Sequence, residues 1–210
     1  GLVWLAGAAW RHILALGMLA LPVFGWAAME PYRLRRITGF LDPWADPYGN
    51  GFQLVQALIA IGRGELFGVG IGASIQKLFY LPEAHTDFIF AVLAEEFGLV
   101  GVIIVLTLFL LLVTRIMVIG AMAHRKGRAF AGYVAYGIGV WLGLQAIVNV
   151  GVNLGVLPTK GLTLPLISSG GSSMLMTIVA LGVVLRIKYE LDRDFGAFER
   201  VRKPSRRAAA

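Results

Sequence analysis

Long apolar runs alternate with short charged segments along the chain, and four of these runs are long enough to cross a membrane. A spanning helix needs about 20 mostly apolar residues. The four runs are Ile13 to Met29, Phe97 to Ala123, Ala129 to Thr159 and Gly161 to Leu185. Arg115 is the one charge inside them. In the last run, the helix is predicted to begin near Gly170. The pattern therefore predicts four complete spans, preceded by residues 1–10, which look like the end of a fifth.

The predicted fold class is an all-α polytopic membrane protein. Basic residues favour the cytoplasmic side of a membrane, and they cluster between the second and third complete spans and in the tail. The predicted segments are the end of one span and the first complete span (1–30), a large extracytoplasmic loop with the start of the next span (31–96), the second complete span (97–123), a cytoplasmic loop (124–128), the third complete span (129–152), an extracytoplasmic connection (153–169), the last span (170–187) and a basic cytoplasmic tail (188–210).

The large extracytoplasmic loop contains a short amphipathic pattern followed by a glycine-rich stretch. "FQLVQALIAIG" places Phe52, Val55, Leu58 and Ile59 on one helical face. This spacing predicts a short helix that lies on the membrane surface or packs against other spans. "GRGELFGVGIGAS" is too rich in glycine for a helix. It predicts a loop whose backbone approaches its neighbours closely.

Composition and charge agree with a membrane protein. Of the 210 residues, 58% are hydrophobic and 15% are charged, against about 25% charged residues in a soluble domain. The net charge of +7 does not indicate a nucleic-acid partner, because basic flanks of spans produce the same total. The absence of cysteine excludes disulfides and thiolate metal sites. The first residue is Gly1, which predicts that the chain is incomplete at its front.

The tail and the acids of "LPEAHTDFIFAVLAEEFG" are the next unusual features. From Arg200 the tail is short of apolar residues and is predicted to be disordered, either held near anionic lipid or serving only to fix topology. Asp87 is the strongest catalytic candidate, because a carboxylate beside apolar side chains has the chemistry of a general base. The alternative is structural: Thr86 would be the helix N-cap, and the helix dipole would favour Asp87 in the first turn.

The other polar residues of this stretch have simpler interpretations. Glu95 and Glu96 are predicted to form structural ion pairs or to face a wet cavity. His85 and Asp87 could supply half of a metal site, but two ligands do not define one, and a hydrogen-bonding histidine is the alternative. Glu83 follows a proline and is typical of a turn.

The connection "LPTKGLTLPLISSGGSSM" leads into the last span. A helix N-terminus with the flexible amides of Gly170 and Gly171 can hold a phosphate, and Lys160 is a nearby cation. The alternative is N-capping by serine, with the glycines allowing close helix packing. Asn149 and Asn153, at the outer end of the third complete span, are predicted to hold helices together.

Three ordered motifs resemble the SEDS family of polymerases (shape, elongation, division and sporulation). They are "PYRLRRITGFLDPWADPYGNGFQLVQAL", "SIQKLFYLPEAHTDFIFAVLAEEFG" and "LPTKGLTLPLISSGGSS", and the resemblance covers nearly the whole chain. The last motif is more similar to the division members than to the elongation members. The resemblance implies a ten-span fold of which this chain is the C-terminal half. The sequence departs from the family pattern at Phe52, Ala94 and Ser169, where Tyr, Gly and Tyr are common.

The resemblance also implies an activity. It implies a peptidoglycan glycosyltransferase that polymerises lipid II in septal synthesis, at the outer face of the bacterial cytoplasmic (inner) membrane. The transfer would invert configuration and release polyprenyl diphosphate, with Asp87 of "HTDF" as the catalytic base. The candidate substrate-binding residues are Arg33, Arg36, Lys77, Glu83, His85, Lys160, Gly170 and Gly171. No cofactor is otherwise implied, although a divalent cation, Mg²⁺ or Mn²⁺, could replace or assist the basic side chains.

The implied partners, besides lipid II, are membrane lipid and other proteins. The proteins are a class B penicillin-binding transpeptidase (FtsI-like) and division proteins such as FtsQ, FtsL and FtsB. No nucleic-acid partner is implied. Two other functions fit the same residues. Broken backbone and polar groups at membrane depth also suit a flippase or transporter for the same lipid, and a non-catalytic division scaffold is the third interpretation. Polymerisation of lipid II in detergent, where there is no second leaflet, distinguishes them.

Overall fold

The computed structural model describes residues 14–15, 17–19, 21–22, 40–49, 51–74, 85–159 and 161–202, the last nine by their backbone only. Four helices account for most of these residues: α1 (Phe52–Gly64), α2 (Ile89–Arg125), α3 (Ala129–Asn153) and α4 (Gly171–Arg202). The described residues between 14 and 22 are also helical, and they fall within the first predicted span. The described ranges contain no β-strand, which confirms the all-α class.

Helices α2 and α3 form an antiparallel pair joined by the short turn 126–128. Both are long and apolar enough to cross a membrane. Glycine allows the two backbones to approach each other. A Cβ at Gly132 would lie 3.0 Å from the carbonyl oxygen of Gly120, which is closer than side-chain carbons normally come. Small residues at such crossings let helices pack by van der Waals contact, which is the main attraction between helices surrounded by lipid.

Helix α4 packs along this pair and continues beyond the predicted end of the last span at residue 187. Ile187 and Leu191 are one turn apart and pack with Ala123 and Ala135, so the apolar stripe of α4 extends past the first charges. The helix includes Arg200, where a disordered tail was predicted to begin, and that prediction is wrong as far as the helix reaches.

The charged end of α4 is attached to the turn between α2 and α3. Lys126 Nζ donates to the carbonyl oxygen of Leu191 at 2.8 Å. Arg128 Nη1 lies 2.9 Å from Glu190 Oε2, and Arg186 Nε donates to Glu190 Oε1 at 2.9 Å. The two basic segments of the chain therefore meet at one end of the helix bundle.

Helix α2 is broken at Gly98, which has φ 65° and ψ −164°. The break separates an initial segment (89–97) from the long apolar part (99–125). The glycine-rich loop 65–74 closes it. On one side, the amides of Val69 and Gly70 donate to the carbonyl oxygens of Glu95 and Glu96, at 2.9 and 3.2 Å.

The same loop also accepts hydrogen bonds from beyond the break. The amides of Leu99 and Val100 donate to the carbonyl oxygens of Glu65 and Leu66, at 3.0 and 3.2 Å. A Cβ at Gly68 would overlap the carbonyl oxygen of Glu96. The predicted loop with close backbone approaches is thus confirmed, and it supplies main-chain partners that the interrupted helix lacks.

Helix α1 packs against the initial segment of α2. Ala57 and Ala60 are fully buried and form a cluster with Phe88 and Ala91. Of the two predicted settings, packing against another helix is the one observed. The predicted apolar face was partly wrong, because Ile59 is 39% exposed. The buried face includes the small residues Ala57, Ala60 and Gly64 together with Leu54 and Val55. The helix also extends into the predicted loop, to Gly64.

Candidate active site

The turn of residues 85–88 leads into α2, and Asp87 lies two residues before its first helical residue. The N-cap of α2 is Phe88, with φ −106° and ψ 16°, and it makes no side-chain capping hydrogen bond. Thr86 is therefore not the N-cap, and Asp87 is not in the first helical turn. The alternative interpretation, with Thr86 as the N-cap and Asp87 in the first turn, is wrong. Phe88 is 3% exposed and anchors the turn in the cluster with α1.

Two serines from the connection before α4 hold the first part of this turn. The carbonyl oxygen of His85 accepts from both the amide and the hydroxyl of Ser169, at 3.0 and 2.9 Å. The carbonyl oxygen of Thr86 accepts from the hydroxyl of Ser168 at 2.6 Å. These pairs are more than 80 residues apart in sequence, so they tie the two outer segments of the chain directly together.

Two asparagines of α3 hold the next carbonyl. The carbonyl oxygen of Asp87 accepts from Asn149 Nδ2 at 2.9 Å and from Asn153 Nδ2 at 3.1 Å. The three consecutive carbonyls of residues 85–87, with the donors that bind them, are called the carbonyl clamp below. Its donors are Asn149, Asn153, Ser168 and Ser169. Because the bonds come from two different elements, the turn is fixed relative to both.

The carboxylate of Asp87 lies beside the connection that precedes α4. The side chain is half-buried, and a Cβ added at Gly161 would lie 3.2 Å from Asp87 Oδ2. The connection is itself ordered by internal bonds: Leu164 is buried, and its amide donates to Ser168 Oγ at 2.7 Å. The "HTDF" turn and the "LPTKGLTLPLISSGG" connection, both predicted on one side of the membrane, are thus in contact.

Helix α4 begins at the end of this connection. The amide of Met174 donates to the carbonyl oxygen of Gly170 at 2.8 Å, which puts Gly170 at the N-cap and Gly171 in the first helical position. Apart from its chain neighbours and its own helix backbone, a Cβ at Gly171 would meet no atom of the described residues within 4 Å. Ser168 and Ser169 bond to the turn of residues 85–88, so these two serines do not serve the capping role considered from sequence.

A second acid of the same motif is enclosed behind the site. The side chain of Glu95 is fully buried, with Oε2 accepting from Ser74 Oγ at 2.5 Å. Its Oε1 lies 3.7 Å from Arg63 Nη1. The predicted structural ion pair is confirmed for Glu95. It connects α1, the end of the glycine-rich loop and α2.

Several sequence candidates lie outside the described residues. These are Arg33, Arg36, Lys77, Glu83 and Lys160. His85 is described and exposed, and its carbonyl, rather than its ring, makes the contacts that fix the turn. Within the described ranges, no group of three or more His, Asp or Glu side chains is close enough to hold a metal ion. The described residues alone therefore do not fit a divalent-cation site.

Sequence reasoning missed how these residues place the site. The prediction that Asn149 and Asn153 hold helices together is confirmed for Asn153, which accepts from the amide of Ala91 in α2. Their bonds to the carbonyl of Asp87 were not predicted, and Ser168 and Ser169 were assigned to a helix cap. A signal was present: Gln145, Asn149 and Asn153 follow one another at intervals of four on an otherwise apolar helix. Amides on one face of a spanning helix rarely face lipid and indicate a polar interior.

The fold and site define a helical, polytopic membrane protein whose acidic turn is held against a second outer segment. A family model described as "Cell cycle protein", covering FtsW, RodA and SpoVE, matches residues 1–193. The chain belongs to this family. With the two helices able to cross a membrane, the match makes it part of a bacterial membrane protein.

Individual relatives agree with the family assignment. The "Probable peptidoglycan glycosyltransferase FtsW" of Nitrosococcus halophilus is 58% identical over 193 residues, which cover 90% of this chain and 49% of the relative. The protein of the same name from Coxiella burnetii is 58% identical over 192 residues, covering 91% and 52%. The chain thus spans about half the length of these relatives.

A solved structure with the same arrangement is also found. It is a chain from work described as "Structural coordination of polymerization and crosslinking by a peptidoglycan synthase complex". That chain is 34% identical, with a TM-score of 0.64, and the match covers 90% of this chain and 52% of the neighbour.

Proposed function

We propose that the protein is a peptidoglycan glycosyltransferase that polymerises lipid II into glycan strands during septal cell-wall synthesis. The names of the FtsW relatives support this activity, as does the synthase complex that contains the structural neighbour. The observation that carries the proposal is the placement of Asp87. Its main chain is fixed by the carbonyl clamp, while its half-buried carboxylate lies beside Gly161 at the edge of the second outer segment.

The reaction requires one displacement. The donor sugar is α-linked to a lipid diphosphate, the acceptor is a sugar 4-hydroxyl, and the product linkage is β. Asp87 accepts the proton of that hydroxyl as the new bond forms to the anomeric carbon. The bond from this carbon to the diphosphate oxygen breaks, and polyprenyl diphosphate leaves with the electron pair. A single in-line step inverts the configuration, as the two linkages require.

Negative charge develops on the leaving diphosphate and needs electrostatic stabilisation. The amides at Gly170 and Gly171 begin α4, where the helix dipole favours an anion. The open space beside Gly171 leaves room for an approaching phosphate. The basic candidates Arg33, Arg36, Lys77 and Lys160 would supply the remaining positive charge. No step here depends on a divalent cation.

The active face is proposed to be extracytoplasmic. The contacts of Lys126 and Arg128 with the charged end of α4 bring the basic segments to one end of the bundle. The Asp87 turn binds the opposite end of α3, at Asn149 and Asn153. Since basic ends favour the cytoplasm, this arrangement supports an outer position for Asp87. The proposed partners at the septum are an FtsI-like class B transpeptidase and division proteins such as FtsQ, FtsL and FtsB.

The test is polymerisation by the purified complete protein, supplied with lipid II in detergent. Glycan strands are expected to accumulate as polyprenyl diphosphate is released. A flippase or a scaffold would leave lipid II unchanged, because detergent offers no second leaflet and neither function joins sugars. Failure of the protein, alone and with its transpeptidase partner, to form glycan would refute the proposed function.

A further inference from the structure

Two buried amide side chains on α3, Asn149 and Asn153, bind the main chain of the proposed catalytic residue. We propose that Asn149 and Asn153 are positioning residues that hold Asp87 where its carboxylate can take the acceptor proton. They act through the carbonyl oxygen of Asp87. This inference rests on the proposed glycosyltransferase function and deepens it.

Asn149 connects the two outer segments with a single amide group. Its side chain is 1% exposed, and Nδ2 has two hydrogens to donate. One bond goes to the carbonyl oxygen of Asp87 at 2.9 Å and the other to that of Leu162 at 2.5 Å. Leu162 follows Gly161, which lies against the Asp87 carboxylate. Asn149 therefore helps to set the distance between the acid and the connection, together with the bonds of Ser168 and Ser169 to the turn.

Asn153 binds the turn through its amide nitrogen and the start of α2 through its amide oxygen. Nδ2 donates to the carbonyl oxygen of Asp87 at 3.1 Å, while Oδ1 accepts from the amide of Ala91 at 3.2 Å. The amide of Ala91 also donates to the carbonyl oxygen of the N-cap Phe88 at 3.0 Å, and Phe88 makes no side-chain capping bond. Asn153 supplies a second acceptor from a different helix, so the start of α2 is set relative to α3.

Such placement affects the chemical step more than substrate binding. Proton transfer requires the base within hydrogen-bond distance of its proton, and a displacement of about 1 Å can reduce the rate roughly 100-fold. Neither asparagine needs to contact the sugar for this effect. Each can be replaced while the other still donates to Asp87, so the single variants should lose less than the double variant.

The experiment compares Asn149→Leu, Asn153→Leu and the double variant in the complete protein, with lipid II as the probe. Each single change is expected to lower kcat about tenfold and the double change about 100-fold, with KM for lipid II within about twofold of wild type. Gln145→Leu is the matched control. Gln145 Nε2 donates to the carbonyl oxygen of Thr163 at 2.9 Å, so its loss removes a partly buried amide bond on the same helix without reaching the turn.

A double-mutant cycle separates positioning from general stability. In an Asp87→Asn background, adding Asn149→Leu should change the residual rate by less than about twofold, because the base it positions is gone. If Asn149→Leu lowered the rate as much in the Asp87→Asn background as in the wild-type background, the proposal would be overturned. It would also be overturned if the kcat of the asparagine variants equalled that of the Gln145→Leu control. If a Leu variant does not fold, the Ala variants give the same comparison, with a smaller loss where water replaces the amide. Wild-type protein that makes no glycan would instead overturn the function itself.

Discussion

Replacing Gly98 with alanine should destabilise the protein strongly, because the break in α2 depends on glycine. The backbone there has φ 65° and ψ −164°. Only glycine enters this region readily, and another residue is held there at a cost of about 1–3 kcal/mol. An added Cβ would also lie 2.6 Å from the carbonyl carbon and oxygen of Leu66. The glycine-rich loop would have to move away from the helix.

Moving that loop weakens the four main-chain hydrogen bonds that close the break. Each such bond contributes about 0.5–1.5 kcal/mol net, so losing two of them costs about 1–3 kcal/mol. With the backbone strain, the free energy of unfolding should fall by about 2–6 kcal/mol. For a chain of this size, the midpoint of thermal unfolding should drop by roughly 5–20 °C.

The assay is thermal unfolding of the purified protein in one detergent. Gly62→Ala is the matched control, since Gly62 lies within α1 and a Cβ there would meet no atom from outside α1 within 4 Å among the residues that the structure describes. Alanine at that position should stabilise the helix by about 0.5–1 kcal/mol. If Gly98→Ala unfolded at the same temperature as Gly62→Ala, the break would not depend on glycine, and the reasoning from its backbone angles would be refuted.

Three further predictions concern the proposed activity and the proposed topology. Asp87→Asn should reduce lipid II polymerisation by about 10²–10⁴, with expression and transpeptidase binding intact; a wild-type rate would refute its role as base. Gly171→Val should lower activity at an unchanged unfolding temperature, because the added side chain meets substrate rather than protein; full activity would place the phosphate elsewhere. In a cysteine-free background, Phe67→Cys should react with an impermeant maleimide in spheroplasts, and Arg125→Cys only after permeabilisation. The reverse pattern would invert the proposed topology.

Local sequence patterns predicted the helices well where a long run of residues is almost entirely apolar. The apolar runs placed α2 and α3, and the glycine content placed the loop around Gly68. No local pattern indicated that α4 continues past the predicted span of residues 170–187, because charges begin at Arg186, whereas Ile187 and Leu191 continue the buried stripe. Ile59 of α1 was wrongly placed on the buried face. The contact with α2 uses alanine, which is less hydrophobic than isoleucine and so was not chosen.

The site was less predictable for a physical reason. Asp87 could be singled out because an acid beside an apolar helix is unusual in itself. Its surroundings depend on hydrogen bonds between residues 62 to 84 positions apart, such as those of Asn149 and Ser169. No local periodicity encodes such pairs. A hydroxyl or amide that binds a distant carbonyl has the same appearance in sequence as one that caps its own helix.

The carbonyl clamp distributes evolutionary constraint unevenly. Every amino acid has a main-chain carbonyl, so the clamp accepts the same bonds whatever side chains occupy residues 85–87. The donors have no such freedom: Asn149, Asn153 and Ser168 act through their side chains, and each hydrophobic replacement there would remove a hydrogen bond to a partly buried carbonyl. At position 169, one bond comes from the main-chain amide, which tyrosine would also supply. Among functional relatives, the side chain at position 85 should therefore vary more than the side chains at the donor positions of α3.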